Sequence, residues 1–153
     1  MKLFIYSIVS LVVVFGIILI AFSIASRKQP ELGLQSGQLQ PCPVTPNCVC
    51  SEYQDQSAYI EPLLYTTTTE QAWAKLKRVI SKTGGAVIKE EAGYLHLVYE
   101  TPLLRYIDDV EFRLDNTPQR IHVRSASRVG QSDMGANRKR VEKIRLAFNK
   151  SEN

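Results

Sequence analysis

Asp108, Asp109 and Glu111 crowd one short segment of this 153-residue chain. On an extended strand side chains alternate between faces, so Asp109 and Glu111 share a face about 7 Å apart. Inverting glycoside hydrolases hold their general acid and base at such a separation. The opposite charge follows in Arg124-Ser125-Ala126-Ser127-Arg128, and then in Asp133, Asn137 and Arg138 at the start of a basic helical pattern. Two guanidinium groups, two hydroxyls and a helix N-terminus are parts from which a carboxylate or phosphate site is made. Without Ala126, these ten residues form the candidate ligand-binding set. The competing reading is that Arg124 and Arg128 neutralise the acidic strand while the serines satisfy backbone groups where a sheet ends.

Cysteine chemistry is confined to Cys42, Cys48 and Cys50, all within nine residues that also hold Pro43 and Pro46. The prolines favour a bent loop able to bring Cys42 and Cys48 together, and a disulfide there would persist only in an oxidising compartment. A Cys48–Cys50 ring would be strained, which leaves Cys50 as the odd thiol. Zinc held by the three thiolates with His96 or His122 is the alternative, but Cys-x-Cys is not the usual knuckle spacing, and no metal is expected. Neither histidine has a nucleophile motif beside it, and no glycine-rich phosphate loop occurs, so no cofactor is expected.

The elements that must position these groups follow from periodicity. Residues 3–25 carry no charge, and at 1.5 Å per residue they extend about 34 Å, enough to cross a hydrocarbon core of about 30 Å. Ser23-Ile24-Ala25 also offers small residues suited to signal cleavage, although the apolar run is longer than a typical signal core. Residues 27–41 lack apolar periodicity and read as a spacer. A short strand is expected within residues 59–65. Thr67 with Glu70, or Thr68 with Gln71, offers a capping box for a helix that runs to about Lys82 and stops at Gly84-Gly85. Residues 86–90 and 94–100 read as a hairpin turning at Glu91-Ala92-Gly93.

Residues 107–114 and 120–125 read as a second hairpin. A four-residue loop places Phe112 opposite Ile121 and Val110 opposite Val123 on one face, with Glu111 opposite His122 and Asp109 opposite Arg124 on the other. Such pairing lowers a carboxylate pKa, whereas a general acid needs it raised, so structural pairing is preferred to hydrolysis. Ser132 or Asp133 caps a last helix, with Asn137, Val141, Ile144 and Phe148 on its buried stripe. The fold class is α+β: an antiparallel sheet packed with two helices, preceded by one transmembrane helix. The boundaries are 1–26 for the membrane segment, 27–41 for the spacer, 42–149 for a single domain and 150–153 for the tail.

The net charge of +4 is mostly juxtamembrane, because Lys2, Arg27 and Lys28 flank the apolar run and leave the remainder nearly neutral. Within that remainder residues 29–112 hold six basic and eleven acidic groups, and residues 113–150 hold ten and three. Segregated opposite charges in one small domain neutralise each other internally, and no nucleic-acid motif accompanies them, so nucleic acid is not an expected partner.

Several motifs together resemble a known family. They are Cys42-Pro43, Pro46-Asn47-Cys48-Val49, Gly93-Tyr94-Leu95-His96, Asp108-Asp109-Val110-Glu111-Phe112, Val123 through Gly130, and Ser132-Asp133 with Asn137-Arg138-Lys139-Arg140. In this order they resemble the family catalogued as domain of unknown function 1499, over roughly residues 40–148. The resemblance implies a bacterial or plastid envelope location behind an export or membrane segment, and no established activity. It also favours Cys42–Cys48 as the family pair, because Cys50 stands where a serine is common; Gln131 stands where an aromatic is common. The expected protein is a single-pass, extracytoplasmic binding or interaction module whose partner is a small anionic ligand or an envelope protein. The alternatives are a hydrolase using Asp108, Asp109, Glu111, Arg124 and Arg128, or a structural assembly factor.

Overall fold

The computed structural model describes residues 1–54, 56–117 and 119–150; Asp55, Pro118, which falls in the expected hairpin loop, and residues 151–153 of the expected tail lie outside the described set. Its helices are α1 (Lys2–Ser26), α2 (Thr69–Thr83) and α3 (Ala136–Lys150), and its strands β1 (Cys48–Cys50), β2 (Leu63–Leu64), β3 (Ala86–Glu91), β4 (Tyr94–Glu100), β5 (Ile107–Asn116) and β6 (Gln119–Ser127). The sheet is antiparallel in the order β1-β6-β5-β4-β3, and β2 pairs with the early part of β6. The α+β architecture of one sheet, two packed helices and a leading apolar helix is therefore the one the periodicity implies.

Each helix starts and stops for a local reason. Thr68 and Gln71 form a reciprocal capping box on α2, and Gly84 ends it in the left-handed conformation at φ 88°. Gly85 follows because a Cβ there would lie 2.6 Å from Leu97 Cδ1, so the α2–β3 junction packs against β4 only without a side chain. Asp133 opens α3, accepting from the backbone N–H of Gly135 at 2.9 Å and of Asn137 at 2.7 Å. Both helices then press an apolar stripe, including Leu76, Ile80, Val141, Ile144 and Phe148, onto Leu95, Leu97, Val110, Phe112, Ile121 and Val123 of the sheet.

The hairpin register differs from the sequence expectation. Asn116 pairs with Gln119, so β6 is displaced by two residues: Phe112 lies opposite Val123, Val110 opposite Ser125, Glu111 opposite Arg124 and Asp109 opposite Ala126. A two-residue slip preserves which face each side chain occupies while changing every neighbour. The turn is tighter than the expected four-residue loop. The short strand expected within residues 59–65 occurs as Leu63–Leu64, and one further difference concerns Cys48–Cys50, which is a strand.

The sheet face away from α2 and α3 is also covered. Leu39, fully buried, packs with Cys50 and Tyr94 against Cys42 and Tyr53. The segment between α1 and β1 thus forms a strap over this face, fastened to β1 by the disulfide Cys42–Cys48. At its other end Ser26 is buried, and its Oγ accepts from the Ile107 N–H at 3.2 Å, docking the end of α1 at the start of β5.

Cys50 is 1% exposed, and burial pushes its thiol pKa up to about 11. The folded chain should therefore resist a maleimide reagent, accept one label after unfolding without reductant, and accept three after unfolding with it. Three labels without reductant would show that Cys42 and Cys48 are not joined.

Candidate functional site

The acidic strand β5 distributes its carboxylates between both faces of the sheet. Asp109 and Glu111 lie on the strap side with Tyr94, His96 and Arg124, and all are buried. Asp109 is held by Arg128, with Nε to Oδ2 and Nη2 to Oδ1 both at 2.7 Å, and by His96 Nε2 at 2.8 Å. Glu111, with no exposed surface, accepts from the Tyr94 hydroxyl at 2.7 Å and from Arg124 Nη1 at 3.1 Å. Farther along the same face Arg113 clamps Glu52 at 2.6 and 3.1 Å, and His122 Nδ1 lies 3.1 Å from the Ser51 hydroxyl. Burial lowers the His122 pKa, favouring the neutral ring.

The pairs Asp109 with Arg124 and Glu111 with His122, expected from a four-residue loop, are thus replaced by Asp109 with Arg128 and Glu111 with Arg124. The two-residue slip accounts for the exchange: Arg124 moves opposite Glu111, and Arg128, just beyond the end of β6, reaches Asp109.

Asp108 points to the helix side, where it meets Arg140 of α3. Arg140 Nη1 also donates to Asn137 Oδ1 at 2.6 Å and to the Ser125 hydroxyl at 3.1 Å. Asn137 is fully buried: its Oδ1 accepts from Ser125 at 2.5 Å, and its Nδ2 lies 2.8 to 3.0 Å from Asp133 Oδ2, the Ser127 hydroxyl and the Asn47 carbonyl. Asn47 in turn donates to the Gly130 carbonyl at 2.7 Å. This hub ties the strap, the end of β6 and the start of α3 together. Arg138 turns outward and donates to the Tyr59 carbonyl at 2.8 Å.

The ten candidate residues therefore do not form one constellation. Asp109, Glu111, Arg124 and Arg128 stand together on the strap face. Asp108, Ser125, Ser127, Asp133 and Asn137 belong to the helix-side network, and Arg138 borders a cleft of about 260 Å³ beside the disulfide loop. Arginines 124 and 128 and serines 125 and 127 part company because neighbouring strand residues face opposite ways. Glu52, which follows the cysteine run, joins these networks without a sequence signal, whereas Asn47 and Arg140 stand within motifs of the family resemblance but no spacing rule points to their contacts.

One cavity, of about 210 Å³, opens on the strap face. It lies between Lys28, Pro30, Leu32 and Pro43 of the strap and Asp109, Arg124, Ala126, Ser127 and Arg128 of the sheet. Arg124 is only 8% exposed, and its Nε has no hydrogen-bond partner. A buried unpaired N–H is costly and is normally satisfied. Arg128 beside it also donates to the Ser26 and Arg27 carbonyls at 3.2 and 3.4 Å, so the cavity sits against the C-terminal end of α1. Among the described residues no cluster of three or more His, Cys, Asp or Glu side chains is arranged to hold a metal ion.

Burial by itself would raise the Asp109 carboxyl, but hydrogen bonds from Arg128 and His96 outweigh it and hold the pKa below the usual carboxylate range. The resulting stability is complete above the unfolded pKa of about 4 and is lost as pH falls through the lower folded value. Asp109→Asn should therefore cost about 3–5 kcal/mol at neutral pH, because it strands the buried Arg128. The gap between wild type and variant should hold from pH 7 to about pH 5 and shrink below about pH 4, read by denaturant unfolding at each pH. A variant as stable as wild type at pH 7 would refute this assignment.

Among curated proteins none matches this chain. A family model described as "Protein of unknown function (DUF1499)" matches residues 38–148, which span β1 to β6, α2 and nearly all of α3. The match takes in Leu39 and Cys42 of the strap and every carboxylate–arginine pair of β5, and the chain belongs to the DUF1499 family.

Proposed function

We propose that this protein is a single-pass, extracytoplasmic binding module of the cell envelope that receives an anionic group in the cavity between strap and sheet. The observation that carries the proposal is the buried Arg124 side chain, with an unpartnered Nε, lining a cavity that also presents Arg128 and Lys28. Glu111 accepts from one nitrogen of Arg124 and Asp109 from two of Arg128, and the Arg124 Nε donates to neither carboxylate. A phosphate or carboxylate oxygen entering the cavity meets that requirement.

Two features support the location. α1 is long and apolar enough to cross a membrane, and the disulfide is a bond that persists in oxidising compartments. The hydrolase alternative needs a carboxyl held protonated near neutral pH, whereas Asp109 is held in the opposite sense. Binding is accordingly the better-supported reading.

The experiment is thermal unfolding of the full chain in nanodiscs with inorganic phosphate, glycerol phosphate or citrate added in separate arms. A ligand that binds only the folded state stabilises by about 2.7 kcal/mol at a hundredfold excess over Kd, which raises Tm by several degrees. Arg124→Lys, which retains a cation for Glu111 but loses the fork of donors, should abolish the rise. No rise in any arm would refute the anion site; a rise in the citrate arm alone would assign it to carboxylates.

A further inference from the structure

The end of the sheet at which α1 docks is ringed by exposed apolar side chains. Three loops meet there: residues 43–46 entering β1, residues 101–106 joining β4 to β5, and residues 128–135 leaving β6. Each presents one large apolar side chain to solvent, Val44 fully, Leu103 at 89% and Met134 at 90%; beyond Met1 and α1 no described large hydrophobic side chain is more exposed. At the opposite end of the sheet the described turn residues Ala92, Gly93 and Thr117 include no large apolar group, although Leu64 of β2, paired with Arg120, is 68% exposed there. Lone exposed hydrophobes need no explanation, but three at the same end of a small domain do.

Their relation to α1 identifies what they face. Tyr106 closes the β4–β5 loop, its N–H donating to the Thr101 hydroxyl at 2.9 Å, and its own hydroxyl donates to the Leu19 carbonyl at 3.5 Å. Leu19 lies seven residues before Ser26, about 10 Å back along the helix axis. The loop therefore runs beside the last two turns of α1. A helix of 25 residues is about 37 Å long, some 7 Å more than the hydrocarbon core it would cross, so the end of α1, within two turns of the Tyr106 contact, reaches the boundary between acyl chains and headgroups. Tyrosine is the residue type enriched at that depth. The basic residues Arg27 and Lys28 follow α1 directly, and Arg105, ion-paired with Glu100, stands beside the exposed Leu103 with a stem able to lie along acyl chains. Across the sheet, the Asn47 bond to the Gly130 carbonyl holds the other two loops to each other.

We infer that Val44, Leu103 and Met134 form a lipid-contacting rim around the end of α1, seating the domain flush on the bilayer. The inference rests on the reading of α1 as a membrane span. The strap cavity then opens at the level of the lipid headgroups, because its Lys28 and Arg128 border the same helix end. Burying three apolar tips and one tyrosine also fixes the tilt of the domain, which a single helix followed by a free linker would leave undetermined.

The test uses the full chain in vesicles of phosphatidylethanolamine and phosphatidylglycerol, with a polarity-sensitive fluorophore on a cysteine introduced by Leu103→Cys, Met134→Cys or, as a reference at the far end of the sheet, Ala92→Cys. The buried Cys50 and the disulfide-bonded pair leave the introduced thiol as the reactive one. Retention of the chain on the vesicles after an alkaline carbonate wash is scored first. The rim predicts that the first two probes are quenched about threefold less by aqueous iodide than the Ala92→Cys probe, and are quenched by a spin label carried near the lipid glycerol backbone. Equal iodide quenching at all three positions, or shielding from both quenchers, on a chain that survives the wash overturns the rim and leaves the membrane span standing. A chain released by the wash overturns the span and the rim with it.

Discussion

Three neighbouring carboxylates on one buried strand set the constraint on which this fold depends. Asp108, Asp109 and Glu111 are each at most 3% exposed, and a buried ionised carboxylate is tolerated only when a cation and enough hydrogen bonds surround it. Each receives its own arginine from a different place: Arg140 from α3, Arg128 from beyond the end of β6, and Arg124 from within β6. Positioning those three guanidinium groups determines where α3 crosses the sheet, where β6 must end and how the strap lies. Replacing such pairs with apolar side chains would not by itself cost stability, so their service is to fix one arrangement of α1, sheet and α3.

The apolar and polar halves of the structure are correspondingly divided. Stability comes from the helix face, where Leu76, Ile80, Phe112, Val123, Ile144 and Phe148 exclude water together. Specific orientation comes from the polar contacts. Arg128 is the clearest case, since one guanidinium holds Asp109 and also the terminal carbonyls of α1, where a cation is favoured by the exposed C=O groups. The sheet and the apolar helix are therefore joined by hydrogen bonds at the end of α1, from Arg128 to the Ser26 and Arg27 carbonyls, from Ile107 to the Ser26 hydroxyl and from Tyr106 to the Leu19 carbonyl.

The sequence discloses those parts that repeat with a period. The capping box at Thr68, the stop at Gly84-Gly85, the two hairpins and the stripe of Asn137, Val141, Ile144 and Phe148 all follow from local rules and all occur. Partners across strands were less legible, because hydrophobic alternation fixes the face of a residue but not which of several registers two apart is used. Val110 and Phe112 face the core in either register, and only the turn decides whether Glu111 meets His122 or Arg124. Arg140 shows a second limit: its position flanks the buried stripe, yet its side chain is long enough to reach back to Asp108. The strap was the least legible, since residues 27–47 have no periodicity and their packing rests on Leu39 and the disulfide at Cys42.

That strap also explains why the candidate cavity occurs at this point in the fold. It begins at the end of α1 and ends at β1, so both of its termini are fixed to the sheet: one through Ser26 and Ile107, the other through the ladder of Cys48 with Ala126. A connection of about twenty residues restrained at both ends and pinned by a disulfide has little freedom to follow the sheet closely. Pro30 and Pro43 limit it further, since neither can donate a backbone hydrogen bond to the polar groups beneath. Where the strap stands off, Arg124 and Arg128 are left beneath a roof of prolines, Leu32 and Lys28, and the buried Nε of Arg124 remains unsatisfied. A cavity made in this way takes its shape from the long apolar helix on one side and from the disulfide on the other, so a ligand held in it would be coupled to both.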